Sequence, residues 1–127
     1  MEKQKIQNFT DLIVWQKAHI LVLDVYKQTK KFPKDELFCL MPQLRRAAVS
    51  ITSNIAEGFG RFSEKEKLHF YSFAYGSLME VQNQIIIAKD LEYIVEQDMQ
   101  NMKLMSTEVA KMLQVLIAKI KSKQNNE

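Results

Sequence analysis

An all-α fold, and within that class an antiparallel up-down-up-down four-helix bundle, is predicted by three features of this sequence. Glycine (3) and proline (2) are scarce in 127 residues while 46% are hydrophobic, a balance that argues against a loop-rich β fold and against disorder. Apolar residues recur three and four positions apart, the spacing that places them on one face of a helix. Four such stretches are joined mostly by short connections, and consecutive helices on short loops are antiparallel neighbours. A mass of 14.9 kDa suits a single domain spanning residues 1–127. That is enough chain to bury a core and too little for a catalytic domain plus a second module.

Thr10 followed by Asp11 supplies an N-cap, and the apolar density from Leu12 to Tyr26 marks the first helix. Leu12, Trp15, Val22 and Tyr26 make one stripe, and Val14, Ala18, Leu21 and Val25 widen it. Ile13, Ile20 and Leu23 fall elsewhere, among Lys17, Asp24 and Lys27. A bundle helix needs one apolar stripe, so the surplus points to a subunit interface. Lys30-Lys31-Phe32-Pro33-Lys34 closes the helix, because the residue before a proline is pushed out of the helical region. Asp35 to Phe38 makes one turn, Cys39 reads as a small buried hydrophobe, and Pro42 opens the second helix from its first position.

The stretch Gln43 to Arg61, QLRRAAVSITSNIAEGFGR, sorts into three faces when wound at about 100° per residue. Leu44, Ala47, Ala48, Ile51 and Ile55 form the core face. Gln43, Arg46, Ser50, Asn54 and Glu57 form a wholly polar one. Arg45, Val49, Thr52 and Ala56, mostly small, would let another helix approach, and Gly58 ends the helix. Ser50 and Asn54 matter because serine and asparagine weaken a helix interior, so their presence suggests contact. Two readings follow: a satisfied polar seam between helices or subunits, or a ligand or nucleic-acid site.

Ser63 with Glu66 three residues on forms a capping box, and Glu64 and Glu66 suit the positive end of a third helix. Phe70, Ala74, Ser77, Val81, Ile85 and Ala88 give that helix its core stripe over about 28 residues, roughly 42 Å. Gly76, which costs about 1 kcal/mol in mid-helix relative to alanine, marks a close helix crossing. Leu91 to Glu96 makes the last turn. Met99, Met102, Met105, Val109, Met112, Leu113, Leu116 and Ile120 then trace a fourth helix with ordinary methionine core filler. The lead 1–9 and the lysine-bearing tail 121–127 are expected to fray.

The Gln43–Arg61 run, with Leu12-Ile13-Val14-Trp15-Gln16 and Phe32-Pro33 before it and Phe73-Ala74-Tyr75-Gly76-Ser77-Leu78-Met79-Glu80 after it, resembles the proteins encoded by bacterial 23S rRNA intervening sequences. That family is also labelled S23 ribosomal protein, and the resemblance spans about Phe9 to Leu116. It implies a small helical bundle, usually a homopentamer, whose molecular role is poorly defined. A related group is the accessory variability protein of diversity-generating retroelements, a similar pentameric bundle that binds nucleic acid and a reverse transcriptase. The chain departs from the family pattern at Cys39, commonly glycine, and at Pro42, commonly small and polar. It departs again at Glu92, where a glycine in left-handed conformation usually stands.

Little in the sequence points to catalysis. Gly58-Phe59-Gly60 is half a dinucleotide fingerprint, but Ser63 takes the third glycine's place and a helix precedes it. His19 and His69 belong to no zinc or di-iron spacing, so neither metal nor cofactor is expected, and Glu66 is placed to pair with His69 across one turn. Ser50 with Glu57 lacks the sharp elbow and oxyanion loop of a hydrolase. The single Cys39 excludes an internal disulfide and fits a reducing cytoplasm. The opening MEKQKIQNFTDLIVW has no long apolar run, so neither a signal peptide nor a membrane span is expected, and the Asn8-Phe9-Thr10 sequon is a coincidence.

A net charge of +3 and a pI near 8.9 permit contact with nucleic acid without demanding it. Arg45, Arg46, Arg61, Lys65 and Lys67 stand against Glu57, Glu64 and Glu66 around the Gly58 turn, five cations to three anions, a local excess of +2. In one reading these cations form interface or internal ion pairs. In the other, a ring of subunits repeats the excess and makes a surface for RNA or a ribonucleoprotein. The expected function is a non-enzymatic, oligomeric RNA-associated protein. The alternative is an oligomeric scaffold for a protein partner, with the arginines structural.

Overall fold

The structure is a computed structural model that describes residues 5–125. Among the described residues four helices make up the fold: α1 (Ile13–Thr29), α2 (Leu40–Phe59), α3 (Glu64–Asp90) and α4 (Glu96–Asn125). Single 3-10 turns lie at Phe9–Asp11 and Lys34–Glu36, and no strand occurs among the described residues. Each helix packs on its neighbours in sequence, and α4 also packs on α1. One core results, with Leu21, Leu44, Ile51, Ile55, Leu78, Met102 and Leu113 fully buried at its centre. Burial of each such side chain contributes about 1.5–3 kcal/mol.

Thr10 does not cap α1: Leu12 is its N-cap and makes no side-chain cap hydrogen bond, and the side-chain cap is Asn8, on the 3-10 turn before it. The Asn8 Oδ1 accepts from the Thr10 N–H at 3.0 Å, while the Asp11 carboxylate accepts from the N–H groups of Gln7 and Asn8 at 3.0 and 3.1 Å. The Asn8 side chain and Asp11 carboxylate thus satisfy orphan donors reciprocally. On α1 the buried face is Val14, Ala18, Leu21, Val22 and Val25. Leu12 and Trp15 pack partly buried at its edge, and Tyr26 is exposed. Ile13, Ile20 and Leu23 remain 59%, 55% and 57% exposed, so the apolar surplus of this helix does face outward.

Helix α2 starts two residues before Pro42, with Cys39 as its N-cap. Pro42 is tolerated at the third helical position because N–H groups of the first turn have no intrahelical acceptor. Cys39 is exposed, which corrects its reading as a buried hydrophobe: a cap residue lies outside the helix face that packs. Gly58 does not end α2 either. The helix runs on to Phe59 with Gly60 as its C-cap. Gly58 is buried, and a Cβ there would lie 2.6 Å from the Tyr71 Cε1, so it is the close-approach glycine of the fold. Gly76, read as that position, has no atom within 4 Å of where its Cβ would be.

Ser63 caps α3, its Oγ accepting from the Glu66 N–H at 3.1 Å. The predicted capping box is half formed, because the Glu66 carboxylate accepts from the Ser63 hydroxyl at 3.2 Å instead of from the Ser63 backbone N–H. The buried face of α3 is Tyr71, Ala74, Leu78, Val81, Ile85 and Ala88. Phe70 and Ser77 are only partly buried. Tyr71 and Leu78, one residue on, occupy the core because the helix is turned to bring Tyr71 under Gly58.

Helix α3 stops at Asp90, and Leu91 to Val95 form the connection rather than a last turn. Its end is a Schellman motif: the Glu92 N–H donates to the Lys89 carbonyl at 2.9 Å and the Tyr93 N–H to the Ala88 carbonyl at 2.8 Å. Glu92 therefore adopts the left-handed conformation, φ 68°, the one non-glycine residue with positive φ among those described. A side chain in that region costs about 1–2 kcal/mol. Glu92→Gly is expected to raise the unfolding free energy by about 0.5–1 kcal/mol, read as a higher urea midpoint at unchanged slope. Helix α4 then begins at Glu96 and continues through residues 121–125. Of the segments expected to fray, residues 1–4 and 126–127 lie outside the described residues.

One carboxylate works against the packing. Burial pushes the Asp24 carboxyl above the usual carboxylate range, opposed by Lys27, Gln28 and Lys31 and reinforced by Asp98. An acid with a raised native pKa holds its proton more tightly when folded. Its contribution is therefore unfavourable at high pH and disappears as pH falls below the unfolded value. Asp24→Asn should raise Tm at pH 7 and lose that advantage below about pH 4, which thermal melts at the two pH values check.

Candidate functional site

Of the polar face of α2, Ser50 meets α3 while Gln43, Arg46 and Glu57 are exposed. The Ser50 and Ser77 hydroxyls lie 2.7 Å apart across α2 and α3, and the Asn54 Nδ2 donates to the Ser50 carbonyl at 2.8 Å and to its Oγ at 3.0 Å. Ser50 thus links α3 to its own helix, and the two residues that weaken a helix interior are satisfied by contact. Glu57 accepts from the Arg61 Nη2 at 2.9 Å. Gln43 and Arg46 border a polar groove of about 410 Å³ with Ser50, Ser77, Glu80 and Gln84. The Gln84 Oε1 is buried there without a hydrogen-bond partner among the described residues.

The five basic residues do not form one patch. Arg45 and Arg61 are separated by most of α2, more than about 20 Å at 1.5 Å per residue. Arg45 is anchored on α1: its Nε donates to the buried Thr29 Oγ1 at 2.8 Å, and its guanidinium sits 4.6 Å from the centre of the Tyr26 ring. Arg61, besides pairing with Glu57, lies 4.6 Å over the Phe70 ring. The Lys67 Nζ donates to the carbonyls of Gly58 and Phe59 at 3.1 and 3.0 Å. A cation on those last carbonyls complements the negative end of the helix dipole, a use of charge worth about 0.3–1 kcal/mol. Arg46 and Lys65 are exposed and have no ion-pair partner among the described residues.

A second set of cations lies in and before the stretch expected to fray. Between Val109 and Asn125 the chain carries Lys111, Lys119, Lys121 and Lys123 and no acidic residue. All are exposed on α4, and none has a carboxylate within ion-pair distance among the described residues. Lys121 borders a shallow depression of about 380 Å³ that reaches Ser72 and Tyr75 of α3. The Gln114 Nε2 donates across it to the Tyr75 hydroxyl at 3.1 Å. Lys65 borders a neighbouring depression of about 490 Å³ with His69, Ser72 and Phe73. The signal available in the sequence was this stretch from Val109 to Asn125, with four lysines and no acidic residue.

Among the described residues neither histidine pairs with a carboxylate. His19 stacks on Trp15 with centroids 4.8 Å apart, and His69 lies edge-on to Phe70 and Phe73 at 5.4 and 4.6 Å rather than against Glu66. Among the described residues no cluster of three or more His, Cys, Asp or Glu side chains could hold a metal ion, and no helix is long and apolar enough to cross a membrane.

These features define an all-α protein of four helices, with polar bridges such as Ser50–Ser77, Gln82–Ser106 and Tyr75–Gln114 between them. The chain belongs to the family of 23S rRNA-intervening sequence proteins, whose family model matches residues 10–115. It is similar in structure to a protein of unknown function from the S23 ribosomal protein family of Bacteroides thetaiotaomicron. The TM-score is 0.78 at 21% identity, covering 84% of this chain and 96% of that chain. At that identity the likeness shows the fold. No curated protein sequence matches the chain significantly.

Proposed function

We propose that this protein is a non-enzymatic, bacterial, cytoplasmic RNA-binding protein, acting as a homo-oligomer that by family resemblance is a pentamer. The observation that carries the reading is the set of exposed lysines without carboxylate partners among the described residues, Lys65 on α3 and Lys119, Lys121 and Lys123 on α4. Contacts along the helices support an antiparallel up-down-up-down bundle. Ser50 meets Ser77 while Gly58 meets Tyr71, and Gln82 meets Ser106 while Tyr75 meets Gln114. Lys17 likewise meets Glu108 while Lys31 meets Asp98. In each pairing one residue number rises as the other falls. That arrangement gathers the start of α3 and the end of α4 at one end of the bundle, where their lysines add.

Oligomerisation would repeat this charge around a ring, and the exposed Ile13, Ile20 and Leu23 give it an apolar contact surface. Sequence-independent phosphate contacts of this kind are strongly salt-dependent. The second reading, a scaffold for a protein partner, is favoured by the internal engagement of Arg45 and Arg61. The two separate in RNA gel-shift titrations at several salt concentrations with the triple variant Lys119→Glu, Lys121→Glu, Lys123→Glu. RNA binding should weaken and its log–log salt slope shrink by about 0.7 for each phosphate that is no longer neutralised, while Arg45→Gln leaves the slope unchanged. Failure of the wild type to shift RNA at low salt would sink the RNA reading in favour of the scaffold.

A further inference from the structure

The two depressions beside Lys65 and Lys121 share Ser72 as a common wall and so form a track across α3 onto α4. No acidic residue lines either depression, and a lysine stands at each end. Aromatic rings lie along it. Lys65, His69 and Phe73 recur every four residues on one side of α3. Phe73 is 55% exposed, with the His69 ring edge-on to it at an interplanar angle of 82°. Phe62, outside both depressions and three residues before Lys65, immediately precedes the α3 cap and is 100% exposed.

Water-facing phenylalanine rings, with lysines that have no carboxylate partner among the described residues, suit a ligand that offers an anion and a flat apolar face together. A single-stranded nucleic acid does this, because its phosphates meet cations while its unpaired bases stack on aromatic side chains. A duplex keeps its base faces in its own stack and offers this surface only phosphates. We infer that the track from Lys65 over Ser72 to Lys121 binds single-stranded RNA in preference to duplex, with bases stacked on Phe62 and Phe73. The inference rests on the RNA-binding reading above and names the form of RNA that this site takes.

Fluorescence anisotropy with an oligouridine of about 12 nucleotides and with an RNA duplex of the same length tests it, with oligomeric state followed by light scattering. The wild type should hold the single strand more tightly than the duplex by about tenfold or more, the worth of stacking one base. Phe73→Ala and Phe62→Ala should each remove much of that margin without altering duplex affinity, and Phe73→Tyr should keep it. Equal affinity for both RNAs overturns the stacking inference while leaving RNA binding intact, and no binding of either overturns both. If the alanine variants change the oligomer instead, the rings pack against another copy of the chain and the inference fails.

Discussion

Gly58→Ala is expected to destabilise the protein by about 1–3 kcal/mol, against the usual sign of a glycine-to-alanine change inside a helix. Helix propensity alone would favour alanine by about 1 kcal/mol. At Gly58 the new methyl group would lie 2.6 Å from Tyr71 Cε1, 2.9 Å from Cδ1 and 3.1 Å from Cζ. Tyr71 is only 4% exposed, so its ring cannot swing into solvent, and either the ring or α2 must shift. A shift of α2 would also disturb the carbonyls of Gly58 and Phe59 that Lys67 caps. Gly76→Ala is the matched control. It meets open space and should raise stability by about 0.5–1 kcal/mol. Urea unfolding of the two variants should therefore move in opposite directions. In a Tyr71→Ala background the Gly58→Ala penalty should vanish, since the two sites are coupled through one contact. Parallel shifts in both glycine variants would remove Tyr71 as the cause.

The contrast between these glycines shows which features were legible in the sequence. Helix positions were readable because apolar spacing is local. The core face of α2 was readable because Ser50, Asn54 and Glu57 leave a sharp boundary beside Leu44, Ile51 and Ile55, all of them buried. Helix α3 blurred that boundary. It carries apolar residues all round, with Phe73, Ile86 and Ile87 exposed, so a stripe through Phe70 and Ser77 competed with the true one through Tyr71 and Leu78. The role of a glycine depends on what stands opposite it, and nothing local to Gly58 announces Tyr71. At Glu92 the departure from the family's glycine left the cap open in the sequence, and the Schellman motif keeps the left-handed backbone there with glutamate.

The basic residues divide along the same line. Proximity in sequence grouped Arg45 with Arg61, whereas the fold ties Arg45 to Thr29 and Tyr26 of α1 and Arg61 to Glu57. A guanidinium with both a hydrogen-bond partner and an aromatic face is held by its own chain. The α4 lysines are hard to place from sequence because a polar C-terminal stretch reads as tail, and only a helix reaching Asn125 gives them fixed places beside α3. Charge position, unlike charge count, is a property of the packed helices.

Leu21→Ala and Ile20→Glu, neighbours on α1, should separate folding from assembly. Leu21 is completely buried, and its truncation should cost about 2–5 kcal/mol through reduced burial and the cavity left behind. Ile20 is 55% exposed and touches the core too little for its replacement to change subunit stability by more than about 0.5 kcal/mol. It stands with Ile13 and Leu23 in the apolar surplus of α1. A carboxylate placed in such a contact would be desolvated without a partner, a cost of several kcal/mol that folding does not impose but association does. Ile20→Glu should therefore keep its far-ultraviolet spectrum and shift light scattering toward smaller species, more so on dilution. Leu21→Ala should instead lower the urea midpoint. An Ile20→Glu protein with unchanged mass in solution would show that this face of α1 is not where subunits meet. The exposed isoleucines would then be left as ordinary surface, and the multiplication of lysine charge around a ring would need another contact face.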